Sequence, residues 1–221
     1  MNTLTEQINQ TLTPGMVVPI EFEKLFDWIE GNKYYIDTSE GRIGYLFSDD
    51  KLSEEWTEQE RPGGTIIEFY PEGNINLHYW FDSNDPEILN RLCVFAKTGA
   101  EGSMAAFWLD DNGNQKIVHM GSGSGSVLTC VLADNPIDFL RLIAIGYDEI
   151  CWNEEFSNPP NFEIDEDECF VHPNKEYQEW VINEFNTNIP KTANEIVKHP
   201  SEMGDINSND AFCKWLEKVN A

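Results

Sequence analysis

The run Ser103–Met120, SMAAFWLDDNGNQKIVHM, reads as a β-hairpin. Two segments rich in apolar, aromatic and β-branched residues flank a short polar centre. At that centre Asn112-Gly113 suits the positive φ angles that tight primed turns demand. Such a hairpin puts an antiparallel sheet in the middle of the chain. Just upstream, CVFAK (93–97) reads as a further strand, and just downstream VLTCVL (127–132) reads as another. Between them lies HMGSGSGSVL (119–128), three glycines alternating with three serines. A dinucleotide fingerprint needs G-x-G-x-x-G opening a helix, and here a β-like run follows. A P-loop needs Gly-Lys, and this stretch has no lysine. A nucleophile elbow needs G-x-S-x-G, a spacing these serines miss. A flexible linker at this point would cut a sheet between two apolar strands. The stretch is therefore read as a compact glycine turn, with a ligand-contacting loop and a linker as the alternatives.

Outward from this centre the pattern stays mixed. PIEFEKLFDWIE opens a helix in which Phe22, Leu25, Phe26 and Ile29 recur at helical spacing, with Gly31 as its stop. YYIDT and RIGYLF pair around Ser39-Glu40-Gly41. Residues 48–64 are polar and acidic and read as a long loop. TIIEFY and NINLHYWF read as a second hairpin, because Ile75, Leu77, Tyr79 and Phe81 alternate. Asp85-Pro86 and Asn135-Pro136 each start a helix, the second almost wholly apolar and hence buried against the sheet. Beyond 174, Tyr177, Trp180, Val181 and Phe185 share one helical face; Phe212, Trp215, Leu216 and Val219 share another. Strands cluster between 34 and 132 rather than alternating with helices. The fold class is therefore α+β: a central, mainly antiparallel sheet packed by helices, with a helical C-terminal region. The expected organisation is an N-terminal segment 1–16, an α+β domain 17–157, an acidic connecting loop 158–173 and a helical extension 174–221 packed on the same domain. The first segment carries Leu4, Ile8 and Leu12 at helical spacing, which fits a docked helix or a fraying end.

Charge narrows the partners. Forty acidic residues face fourteen basic ones in 221, a formal net charge of -26. Such a chain repels nucleic-acid phosphates and anionic membranes and favours basic partners. No stretch approaches the roughly 20 apolar residues of a membrane span, and the N-terminus lacks the basic and apolar regions of a signal peptide. The five cysteines are scattered and odd in number, which fits reduced thiols of the cytoplasm. The four histidines are isolated, and His78 and His119 fall in strand-like runs, so structural roles are expected of them. WLDDNGNQ fails as a calcium loop because Trp108 stands where the first acidic ligand belongs. Asp165-Glu-Asp-Glu168 reads as a solvated acidic loop rather than a cation site. Neither a metal nor another cofactor is expected.

Three pieces carry a family resemblance: FAKTGAEGSMAAFWLDD, IVHMGSGSGSVL and NPIDFLRLIAIGYDEICW. They resemble bacterial members of the SUKH superfamily, the group that includes a yeast cell-wall synthesis regulator. PIEFEKLFDWIE is similar to that group's opening helix, and EWVINEFNTNIPKTANEIV with FCKWLEKV to its helical C-terminal region. The resemblance implies an α+β fold with one central sheet. It also implies an immunity protein of the cytoplasm, which neutralises a toxin exchanged between competing bacteria and catalyses nothing itself. Many such toxins are nucleases. The glycine-rich signature, here Gly99, Gly102 and Ser103 with Gly121, Gly123 and Gly125, is then a set of fold determinants.

An acidic inhibitor complements the basic cleft of a nuclease, which speeds encounter and lets carboxylates occupy phosphate positions. Residues 148–168 carry nine carboxylates and no base. Within them Asp148, Glu149, Glu154, Glu155 and Trp152 are the first choice for contacts to a basic toxin. The loop bearing Asp49, Asp50, Glu54, Glu55 and Trp56 is the second. A solvated acidic face and a core tryptophan are the bland alternatives for these residues. Two other functions stay in view: a regulatory or scaffold module for an endogenous partner, and an enzyme using paired carboxylates, for which no motif speaks.

Overall fold

The computed structural model describes residues 2–53, 57, 59–64, 66–164 and 169–220. Its elements, in chain order, are α1 (Thr3–Thr11), α2 (Ile20–Asn32), β1 (Tyr35–Thr38), β2 (Gly41–Gly44), α3 (Asp49–Ser53), β3 (Glu60–Pro62), β4 (Glu68–Gly73), α4 (Leu77–Phe81), α5 (Pro86–Leu89), β5 (Leu92–Lys97), β6 (Met104–Leu109), β7 (Gln115–Met120), β8 (Thr129–Ala133), α6 (Pro136–Ile143), β9 (Phe170–His172), α7 (Lys175–Phe185) and α8 (Ala211–Val219). Short 3₁₀ turns occupy Asn153–Ser157 and Ala193–Glu195. Seven strands form one sheet in the order β1-β2-β4-β5-β6-β7-β8, all neighbours antiparallel. β3 and β9 make a separate parallel pair. The class is α+β, as the strand clustering implied.

The β6–β7 hairpin pairs Met104 with Met120 through to Leu109 with Gln115. Its turn differs from the primed pair expected at Asn112-Gly113. Gly113 takes a positive φ of 78°, and Asn112 does not. The Asp110 N–H donates to the Asn114 carbonyl and the Gly113 N–H to the Asp110 carbonyl, both at 2.9 Å. The Asp110 carboxylate also accepts from the Asn112 and Asn114 amides. These bonds hold a three-residue loop with a glycine bulge.

Helices cover both faces of the sheet, so the central strands are buried on both sides. On one face Cys93, Phe95, Ala105, Phe107, Cys130 and Leu132 pack with α1, α2, α6 and α7. On the other, Leu92, Val94, Ala106, Trp108, Val118 and Met120 pack with α4 and α8. Leu4 and Ile8 of α1 are fully buried in the first of these cores.

Other local readings are corrected by the structure. Residues 77–81 form helix α4, not a return strand. Leu77 and Phe81 are buried while Ile75 and Tyr79 are exposed, so the apparent alternation was an i, i+4 pair on one helical face. Gly31 lies inside α2, which ends instead at Lys33 in the left-handed region (φ 62°). The polar stretch 48–64 is not a plain loop but carries α3 and β3. Its partner β9 sits in the stretch expected to be a connecting loop.

The C-terminal segment closes the sheet edge at β8. The Thr129 N–H donates to the Ser201 carbonyl at 2.7 Å, and the Met203 N–H to the Val127 carbonyl at 2.8 Å. Asp210, 3% exposed, caps α8 by accepting from the Phe212 and Cys213 amides and reaches across to the Val131 amide. Burial raises its pKa, and those three backbone bonds oppose the rise. Asp210→Ala orphans the three donors and is expected to cost about 2 kcal/mol in urea unfolding. No helix among the described residues is long and apolar enough to cross a membrane.

Candidate partner-binding surface

The acidic run past α6 is pinned to the core by two aromatic residues. The Tyr147 hydroxyl donates to the Asn158 carbonyl at 2.6 Å and accepts from the Ala193 amide at 3.1 Å. Phe156 is 1% exposed and packs near the Tyr147 ring. The tight 3₁₀ turn that buries Phe156 leaves Glu154 and Glu155 exposed. Downstream, Asn161 is left-handed (φ 63°) and behaves like an added strand residue beside β9. Its carboxamide accepts from the Val171 N–H at 2.7 Å and donates to the Val171 carbonyl at 2.8 Å. This turn leaves Phe162 51% exposed.

Together these segments enclose a groove of about 510 Å³ whose lining includes Tyr147, Asp148, Glu154, Glu155, Phe162 and Ile164. Exposed carboxylates beside an exposed aromatic ring suit a basic protein surface: the carboxylates meet Lys or Arg, and the ring supplies apolar anchorage.

The first-choice residues divide into two groups. Asp148, Glu154 and Glu155 meet at the groove. Asp148 is partly spoken for, since Arg61 of β3 lies 2.8 Å from its carboxylate. Burial raises the Asp148 pKa, with Arg61 acting against the rise and Glu149 adding to it. Glu149 and Trp152 face elsewhere. Glu149 accepts from the Ala100 amide at 2.8 Å and from the Trp152 indole at 2.8 Å, with the Cys151 thiol 3.2 Å away. That pair braces the loop between β5 and β6. Of the second choice, Asp49 and Asp50 are exposed at the start of α3. Glu54, Glu55 and Trp56 lie outside the described residues, as does Asp165–Glu168. Among the described residues no group of three His, Cys, Asp or Glu is arranged to hold a metal ion.

The sequence reading missed Arg61, Tyr147, Phe162 and Ile164 as parts of this surface. NPPNF (158–162), a turn-forming run inside the acidic stretch, was the available signal for Phe162. Arg61 had none, because β3 and β9 lie far apart in the chain.

The residues of the glycine signature lie outside the groove's lining. At Gly121 a Cβ would lie 2.6 Å from the Ser126 carbonyl oxygen, so only glycine lets the 121–128 turn close. The Gly121 N–H donates to the Leu128 carbonyl at 2.9 Å and the Gly123 N–H to the Ser126 carbonyl at 3.0 Å, extending the β7–β8 ladder. Gly125 packs against Glu101, and Gly99 against Cys151. Gly102 takes a φ of 105°. Ser103 is buried and donates from its amide and hydroxyl to Glu101.

His119 lies beneath this turn and is fully buried. Its Nδ1–H donates to the Leu128 carbonyl at 2.8 Å, so Nε2 accepts from the Thr98 hydroxyl at 2.9 Å. Burial lowers its pKa to about 4. The unfolded chain therefore binds a proton between its ordinary value, 6.5, and about 4, where the folded chain does not. Stability from this site is full above pH 6.5 and falls with pH through that window, by about 3 kcal/mol in all. Urea unfolding of wild type and His119→Gln is expected to show the wild type losing more stability from pH 7 to pH 4. Parallel losses would contradict the assignment. His78, by contrast, is not in a strand; it is half-buried on α4.

The fold and the groove together define an α+β protein with an acidic, aromatic-flanked groove. No protein-family model, curated protein or solved structure matches this chain.

Proposed function

We propose that this chain is a non-catalytic binding protein that neutralises a basic protein toxin, the cytoplasmic immunity role that its resemblance to the SUKH superfamily implies. The observation that carries the reading is the groove at 147–164. There the exposed carboxylates of Glu154 and Glu155 stand beside an exposed Phe162 on a firmly anchored turn. A net charge of -26 adds long-range attraction for a basic partner. The anchoring of the turn by Tyr147 and Phe156 lowers the ordering entropy lost on binding, which favours tight inhibition. A nuclease suits this surface because its cleft must attract phosphates.

Co-expression tests the reading. The toxin encoded beside this gene is produced in a host that it kills, with and without this protein. Restored growth together with a stable purified complex supports the proposal. Continued killing by every neighbouring toxin, despite full expression of this protein, overturns it.

A further inference from the structure

On the other side of the β3–β9 pair lies a second cleft of opposite character. It encloses about 720 Å³, within the range of about 300–1,000 Å³ typical of small-molecule sites. The chain has only fourteen Lys and Arg residues, yet Lys51, Arg61 and Lys175 all line this one cleft. Arg61 reaches through to Asp148. Lys51 and Lys175 are both exposed, and neither forms an ion pair among the described residues. Lys24, Lys97, Lys116, Lys198 and Lys218 each hold a carboxylate, while Lys33, Lys191 and Lys214 also form no ion pair among the described residues but do not line this cleft.

The two carboxylates of the lining are already engaged. Glu60 lies 3.0 Å from His172 Nε2, and Glu176 accepts from the Tyr34 hydroxyl at 3.1 and 3.2 Å. Asn174 is also occupied, donating to the Leu46 carbonyl and capping α7. The remaining wall is mixed: Leu46, Phe47, Pro62 and Pro173 form an apolar part, and Ser48, Thr57 and Gln59 a polar one. Two lysine charges without ion pairs among the described residues therefore line a cleft with an apolar patch, in a protein with abundant acid to neutralise them.

We infer that this cleft binds a small organic anion, its carboxylate or phosphate held by Lys51 and Lys175 and its apolar body laid against Phe47 and the two prolines. The site adjoins the acidic groove, with Arg61 in the lining of both, and its ligand would be a metabolite-sized molecule rather than a protein. Ammonium groups at the mouth of a low-dielectric cleft attract an anion more strongly than the same groups on an open surface.

Calorimetric titration of the whole chain tests this with four probes: 1-naphthyl phosphate, 1-naphthoate, neutral 1-naphthol and inorganic phosphate. At least one aryl anion is expected to bind ten-fold or more tightly than both naphthol and inorganic phosphate. The better of the two anions identifies the preferred head group. Lys51→Glu and Lys175→Glu are each expected to weaken that binding ten-fold or more. The neutral Lys51→Gln and Lys175→Gln should give smaller losses in the same direction, and Lys214→Glu on the exposed side of α8 should have no effect. No measurable binding of either aryl anion at millimolar concentration overturns the inference. So does naphthol binding as tightly as the anions, or wild-type affinity in the Lys51 and Lys175 variants.

Discussion

Phe22→Ala is expected to lower the free energy of unfolding by about 4 kcal/mol, near the upper end for a single buried ring. Phe22 projects from α2 into the centre of the larger core and is fully buried. Its ring meets Phe95 at 5.0 Å and Phe107 at 5.3 Å edge-on, and stacks on Phe139 of α6 at 5.7 Å. One side chain thus joins two sheet strands and two helices. Truncation forfeits the transfer energy of the ring and leaves a cavity between elements that cannot all close on it. Phe22→Leu keeps most of the volume and should cost about 1.5 kcal/mol. Urea unfolding followed by tryptophan fluorescence measures both. A loss below about 1 kcal/mol for Phe22→Ala would mean that this cluster is not the centre of the fold.

Charge reversal at the groove is expected to act on binding while sparing the fold. Glu154→Lys with Glu155→Lys should weaken the complex with the proposed toxin partner by about 100-fold, and Phe162→Ala by about 10-fold. Both glutamates are exposed on a turn whose packing is held by Phe156 and Tyr147, so the thermal midpoint should move by no more than a few degrees. Raised salt should weaken the wild-type complex more than the double variant, because the variant has already lost the attraction that salt screens. Calorimetry at two ionic strengths reads both effects. An unchanged affinity in the double variant would remove this groove from the interface.

The parts of the fold legible in the sequence were those with local causes. The 103–120 hairpin, the capped helices at Asp85-Pro86 and Asn135-Pro136, and the apolar faces of α2, α7 and α8 all follow from short-range spacing. The failures share physical reasons. Around Ile75–Phe81 a two-residue period and a helical i, i+4 pair select the same residues, so pattern alone could not separate them. The parallel β3–β9 pair joins positions such as Pro62 and His172 across the five strands β4–β8 and three helices, so no local spacing announces it. The acidic run was visible as charge, but carboxylates of one type look alike in sequence. Only folding separates Glu149, which braces the Ala100 amide and Trp152, from Glu154 and Glu155, which face solvent. The basic cleft was invisible for the same reason, since Lys51 and Lys175 meet only through tertiary structure.

The central claim is that the 147–164 groove is the surface this protein uses to hold its partner. Hydrogen exchange of the purified complex against the free chain tests it most directly. The account predicts that slowed exchange on binding concentrates at 153–164 and at β9 beside it, with the helices on both faces of the sheet unchanged. Protection confined to α2 and α7, or to the edge formed by β1 and β2, with residues 153–164 exchanging as in the free chain, would contradict it.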